Sequence, residues 1–336
     1  MIKKISILKE FGPKDFKVQE KVAKKSSLEK SSQAKNWEPS VFCLRIDADE
    51  YTPESFNTYY PLFEKYAKAI TIFFNAHSFR TATNEITKCK NLGIDIQSHA
   101  FYHYTYNDYA SNRYNINKAK KFFLDLGIET IGFAAPFGKW NKSLMKALED
   151  ENYKYSSDFS YDYLGFPNYP ILKNKKSTTL EIPIFPVAPE LFFQYETIDI
   201  NKVYKYYMDA IDAMITAKLP VIIYAHTNPT MQNIPDLLNK IVDYAINTKK
   251  LKEASMTDIF FKFQDKALIN LPENDKINAF CNFDIEFLGI PFKQNIVNIL
   301  KNFIKNFIDF EKITPANELR CGIVKKIIKL IARKIF

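Results

Sequence analysis

Three short stretches concentrate the side chains suited to hydrolytic chemistry. Arg45-Ile46-Asp47-Ala48-Asp49-Glu50 closes an apolar run, and in an extended chain residues 45, 47 and 49 project to one side. Two carboxylates and a cation then share one mouth. Ser98-His99-Ala100-Phe101-Tyr102-His103 follows another apolar run, and its four-residue histidine spacing puts both imidazoles on one face if a helical turn begins there. Val221-Ile222-Ile223-Tyr224-Ala225-His226 ends on a third histidine. The fourth and last, His77, reads as a packed core or surface residue, the commoner state of a single histidine.

Two imidazoles and one carboxylate are a recurrent metal set, which makes Asp49, His99 and His103 the candidate ligands. Such a set leaves positions open for water and substrate, unlike a closed structural site. A divalent ion held there lowers the pKa of bound water and polarises a carbonyl. Zinc is the first expectation, although this donor set accepts several divalent ions. Asp47, two residues from Asp49, is placed to act as base. An amide nitrogen leaves poorly without a proton, and His226, reaching from the opposite side of the mouth, is the candidate acid.

The elements that must position these groups alternate along the chain. Seven apolar runs, at residues 41–46, 69–74, 94–97, 130–134, 155–159, 180–185 and 221–224, read as strands, and most are followed by an amphipathic segment. Ile116, Ala119, Phe122, Phe123 and Leu126 share a helical face that ends at Gly127. Val203, Tyr206, Tyr207, Ala210, Ile211 and Met214 share another, and Asn141 is placed to cap a helix carrying Leu144, Met145 and Leu148. The rhythm implies an α/β fold, a (β/α)7 barrel one unit short of the common eightfold form, with its chemistry at the C-terminal strand ends. Residues 1–37 form a polar arm, 38–266 the catalytic domain, and 267–336 a helical C-terminal extension.

Composition narrows the function classes. With 336 residues, 46% of them hydrophobic, the chain can bury a large core. The net charge of +9 is spread along the sequence without a basic-aromatic RNA motif or helix-turn-helix pattern, which argues against nucleic acid as a partner. Cys43, Cys89, Cys281 and Cys321 lie far apart, without a paired CxxC spacing, and read as reduced core residues. The first 35 residues contain no apolar signal-peptide core, and no stretch approaches a membrane span, so a cytoplasmic location is expected.

The order of the three motifs resembles the NodB-homology polysaccharide deacetylases, the family 4 carbohydrate esterases. Asp47 and Asp49 resemble the family's first motif in the spaced Asp-x-Asp variant associated with bacterial surface polysaccharides, and His99 with His103 its His-x-x-x-His motif. Ala134-Ala135-Pro136-Phe137-Gly138 is similar to the third motif, Arg-x-Pro-x-Gly, with alanine in place of the arginine that helps hold the catalytic base. Arg45, beside Asp47, is expected to supply that charge. Tyr155-Ser156-Ser157-Asp158 and Ile182-Pro183-Ile184-Phe185-Pro186 are similar to stretches of bacterial deacetylases, and Asp158 takes the role of the family aspartate that tunes the acid histidine.

The resemblance implies a distorted barrel and hydrolysis of an N-acetyl or similar acyl group on an amino sugar, in surface-glycan biosynthesis. Asp47 would be the base, His226 the acid, and Asp49, His99 and His103 the ligands. Backbone amides near Phe137 would stabilise the oxyanion, and Pro136, Phe137, Gly138 and Trp140 would line the substrate site, with Phe101 and Tyr102 as further stacking candidates. Two other readings stay open: a degenerate glycan-binding relative, because of Ala134, and a deformylase or cyclic-amide hydrolase using the same site.

The chain ends on a sharper pattern. Val324, Ile327, Ile328, Ile331 and Ile335 form an apolar stripe, while Lys325, Lys326, Lys329, Arg333 and Lys334 crowd the remaining face. Such a helix lies on an anionic membrane surface or packs on the barrel or a partner subunit. In the first case the protein is peripheral on the inner face of the cytoplasmic membrane, and a lipid-linked glycan becomes a natural partner.

Overall fold

The computed structural model describes residues 41–158, 167–172, 175–185, 188–191, 199–216, 219–227 and 234–269. The N-terminal arm and nearly all of the C-terminal extension, with its amphipathic stripe, lie outside the described residues. Among the described residues, no helix is long and apolar enough to cross a membrane.

Val41–Ala48 (β1) is buried along its whole length, the state of a strand covered on both faces. Besides the two-residue strands Asn168–Tyr169, Ile171–Leu172, Lys175–Lys176, Lys252–Glu253 and Leu268–Ile269, six further strands build the sheet: Ile70–Phe74 (β2), Asp95–Ser98 (β3), Gly132–Phe133 (β4), Tyr155–Ser156 (β5), Leu180–Glu181 (β6) and Val221–His226 (β7). They pair in parallel in the spatial order β7-β1-β2-β3-β4-β5-β6. No ladder between β6 and β7 is present among the described residues. Instead the Phe185 N–H donates to the Ile222 carbonyl at 3.0 Å across the seam. The seven expected strands are therefore present and parallel, in a sheet that Asn168–Tyr169 extends antiparallel from β6, and the distortion of the expected barrel lies at this seam.

The helices are Pro53–Tyr66 (α1), Ala76–Phe79 (α2), Thr83–Asn91 (α3), Tyr109–Asp125 (α4), Lys142–Asp150 (α5), Ile200–Thr216 (α6), Ile234–Asp243 (α7) and Met256–Phe263 (α8). Local chemistry sets their ends. Thr52 caps α1 by accepting the Ser55 N–H at 3.1 Å, Pro53 occupies the first turn where no N–H is needed, and Asn141 caps α5 through the Leu144 N–H at 2.8 Å. Ile116, Ala119 and Phe123 of α4 are buried, as are all six residues expected on the inner face of α6.

Three strands are shorter than their apolar runs. Among the described residues of the runs at 130–134, 155–159 and 180–185 the ladders span two residues each, because neighbouring backbone groups find other partners. The Ala135 and Asp158 N–H groups bond carboxylate side chains, and Pro183 has no N–H to give. Away from the catalytic ends, Asp95 is enclosed by Thr71, Gln97 and Thr257, all within hydrogen-bond distance. Burial raises its pKa. Cys43 and Cys89 are buried free thiols, as the reduced reading anticipated for these two.

β4 passes close to the ring of Tyr155, whose hydroxyl is tied to the Thr257 hydroxyl at 3.2 Å. A Cβ at Gly132 would collide with that ring and its hydroxyl. Gly132→Ala is expected to destabilise the fold by about 1–3 kcal/mol, measured by urea unfolding. An unchanged midpoint would mean that this approach is looser than described.

Candidate active site

The ends of β1, β2, β3 and β7 meet at one rim. Ala100 adopts φ 62°, in the left-handed region, and residues 101–103 form a bend. This corrects the expectation of a helical turn: the histidine spacing works through a reversal at Ala100. That reversal is held from both sides. The Asn75 side chain donates to the His99 carbonyl at 3.2 Å, and the N–H groups of Ala76 and His77 bond the carbonyls of Ala100 and Phe101 at 3.1 and 3.0 Å. From α4, Asn115 accepts the Tyr102 N–H at 2.7 Å and donates to the carbonyls of Tyr102 and Tyr104. Sequence reasoning missed both asparagines, whose signal was an amide among apolar neighbours. His77 packs against the Phe101 and Tyr102 rings, 5.7 and 5.5 Å between centroids.

Asp49, His99 and His103 converge. Asp49 Oδ1 lies 3.1 Å from His99 Nε2 and 3.2 Å from His103 Nε2, and the two Nε2 atoms are 2.9 Å apart. His99 Nδ1 is 2.8 Å from the Ala134 carbonyl, which can only accept, so Nδ1 carries the proton and Nε2 presents its lone pair. Asp49 Oδ1 is buried with no hydrogen bond of its own. Ligands about 2.0–2.1 Å from a tetrahedral zinc ion stand roughly 3.3 Å apart, close to the separations found. The donor set and its spacing fit a divalent ion.

Beside it, Arg45 grips Asp47 through two parallel bonds, Nε to Oδ1 at 2.9 Å and Nη2 to Oδ2 at 2.6 Å. Its Nη1 bonds the Ser157 carbonyl and, at 3.1 Å, the Ser157 hydroxyl. The guanidinium lies 5.0 Å from the Phe73 ring centroid and 5.7 Å from that of Tyr224. Burial alone would raise the Asp47 pKa, but the Arg45 charge outweighs it and holds the carboxyl below its usual range.

Asp47 is the β-ladder partner of His226. Burial alone would lower the His226 pKa. The nearby Glu190 carboxylate and the charges of Asp49 and Asp47 outweigh that and raise it to about 9. Asp158, expected to tune His226, is committed elsewhere: Oδ1 accepts the Ala135 N–H at 2.6 Å and Oδ2 the Ser156 hydroxyl at 2.5 Å. That expectation is corrected. Asp158 braces the turn whose Ala134 carbonyl orients His99, and the carboxylate at His226 is Glu190, which no motif pointed to.

The 136–138 turn stands next to the ligands. Phe137 has φ 60°, uncommon for a non-glycine residue, and its ring meets that of His103 edge-on at 4.6 Å. Pro136 is buried beneath the turn, which removes its side chain as a substrate contact. Gly138 and Trp140 are partly exposed, and Trp140 packs on a cluster that includes Ile116, Leu144 and Met145.

Comparisons with known proteins agree with this architecture. The family model described as Polysaccharide deacetylase matches residues 37–156. Among solved structures, a Mycobacterium smegmatis protein assigned as a polysaccharide deacetylase aligns with TM-score 0.59 at 14% identity, over 71% of this chain and 96% of that one. A Pseudomonas aeruginosa PAO1 protein with the same assignment gives 0.56 at 17% identity, over 67% and 91%. The Puue allantoinase gives 0.53 at 16%, over 69% and 92%. No curated protein matches in a sequence comparison. The fold is that of the polysaccharide deacetylases, and residues 37–156 match that family's model.

Breaking the buried ion pair should be costly. Arg45→Met leaves Asp47 enclosed without its counter-charge, an expected loss of about 3–5 kcal/mol. Adding Asp47→Asn should recover much of it. Equal unfolding midpoints for the single and double variants in urea would show that the pair is not coupled.

Proposed function

We propose that the protein is a metal-dependent hydrolase that removes an N-acetyl or similar acyl group from an amino sugar. The observation that carries this reading is the convergence of Asp49, His99 and His103 beside the paired residues Asp47 and His226. A divalent ion, zinc first, would supply Lewis acidity for the acyl carbonyl and a lowered pKa for the attacking water. Asp47, kept ionised by Arg45, takes the proton from that water. His226, across the β1–β7 ladder from Asp47, delivers a proton to the departing amine. The products are the free carboxylic acid and the amino sugar.

Arg45 supports activity despite Ala134, because its two bonds to Asp47 supply the charge that the third-motif arginine would bring. The half-buried rings of Phe101, Tyr102 and Phe137 border the ligands and suit a sugar face. A role in surface-glycan biosynthesis rests on the spaced Asp-x-Asp form, and a lipid-linked substrate on the basic stripe at 324–335. The likeness to an allantoinase favours testing a cyclic amide as well.

The test joins metal analysis of purified protein to acetate and formate release from acylated amino sugars, with a cyclic amide in parallel. One divalent ion per chain and acyl release are expected. His99→Ala should lose the ion, and Asp47→Asn should lower release by roughly 100-fold or more. Undiminished release in either variant contradicts the assigned roles. A protein that binds metal and sugar yet releases nothing would be a glycan-binding relative.

A further inference from the structure

We infer that Glu190 is the positioning residue of His226, anchoring Nδ1–H so that Nε2 carries the proton delivered to the amine. The inference deepens the hydrolase reading and rests on it for the acid role of His226. Glu190 sits in the turn Pro189–Leu191, on the stretch that follows the seam bond from Phe185 to Ile222, and is 5% exposed. Its Oε1 accepts the backbone N–H of His226 at 2.5 Å, so the carboxylate is fixed against the end of β7. Oε2 is buried without a hydrogen bond and lies 3.7 Å from His226 Nδ1. An unpaired buried carboxylate oxygen is costly, and an imidazole N–H is the donor placed to relieve it.

The other charged and titratable groups around His226 have partners. Asp47, on β1, is held by Arg45, and Asp49, beyond β1, faces His99 and His103. Tyr224, on the same strand, stands ring to ring with His226 at 5.4 Å between centroids. Asp158 is occupied by Ala135 and Ser156. With Nδ1–H directed to Glu190, Nε2–H is the transferable proton. Its bond breaks as the amine nitrogen takes the proton, the pair from the cleaved carbon–nitrogen bond stays on the amine, and neutral imidazole remains.

The test is nitrogen-15 NMR of the imidazoles in the full-length protein loaded with Zn2+, with His226 assigned by loss of its signals in His226→Asn. Wild type should show Nδ1 protonated throughout, with Nε2 the nitrogen that titrates. In Glu190→Gln the midpoint should fall by about one pH unit or more, a tenfold loss of the protonated form at high pH. The alkaline limb of kcat should move down with it while KM holds, and Glu190→Asp should restore part of both. An unchanged midpoint and tautomer in both variants would overturn the inference. A shift in Glu190→Gln without acyl release from wild type would instead sink the hydrolase reading and leave the Glu190–His226 pairing standing.

Discussion

Two imidazole nitrogens and a carboxylate oxygen held within 2.9–3.2 Å of one another repel unless a positive charge stands among them. The fold keeps them there at some cost. The Ala134 carbonyl fixes the His99 tautomer, Asp158 braces the turn that carries that carbonyl, and Glu181 in turn bonds the Asp158 N–H at 2.9 Å. Asn75 and Asn115 clamp the reversal at Ala100. A chain of hydrogen bonds thus runs from β6 through β5 and the 134–138 turn to a single lone pair, the kind of outer support that gives a metal ligand its direction.

A second constraint lies inside β1. Burying Arg45 is tolerable because both Asp47 oxygens, Ser157 and two aromatic faces meet the guanidinium. Under the proposed function the arrangement would answer the absence of an arginine at Ala134, since the charge beside Asp47 comes from its own strand, two residues back. It also ties the rim to the barrel interior, because side chains 45 and 47 project to the same side of β1.

Much of this was legible in the sequence. Seven apolar runs located seven strands, since a strand buried on both faces must be apolar throughout. The convergence of Asp49, His99 and His103 stood out because strand ends share one rim of a parallel sheet. What was hidden depends on contacts distant in sequence. Among the described residues, strand lengths were overestimated in the runs at 130–134, 155–158 and 180–185, where carboxylates and Pro183 interrupt the ladder. The left-handed turn at Ala100 has no glycine to announce it, and only the hydrogen bonds from residues 75–77 and 115 account for it. Asp158 was assigned to His226 by motif order, yet motif order says nothing about which carboxylate crosses the barrel seam. Glu190 does so from an irregular stretch without periodicity.

The central claim is one ion held by two imidazoles and one carboxylate. X-ray absorption at the zinc edge of the Zn2+-loaded full-length protein tests it most directly. The account expects nitrogen and oxygen scatterers at about 2.0–2.2 Å with two imidazole signatures and no sulfur, and one imidazole fewer in His103→Ala. A thiolate in the coordination shell, or an identical spectrum for His103→Ala, would contradict it.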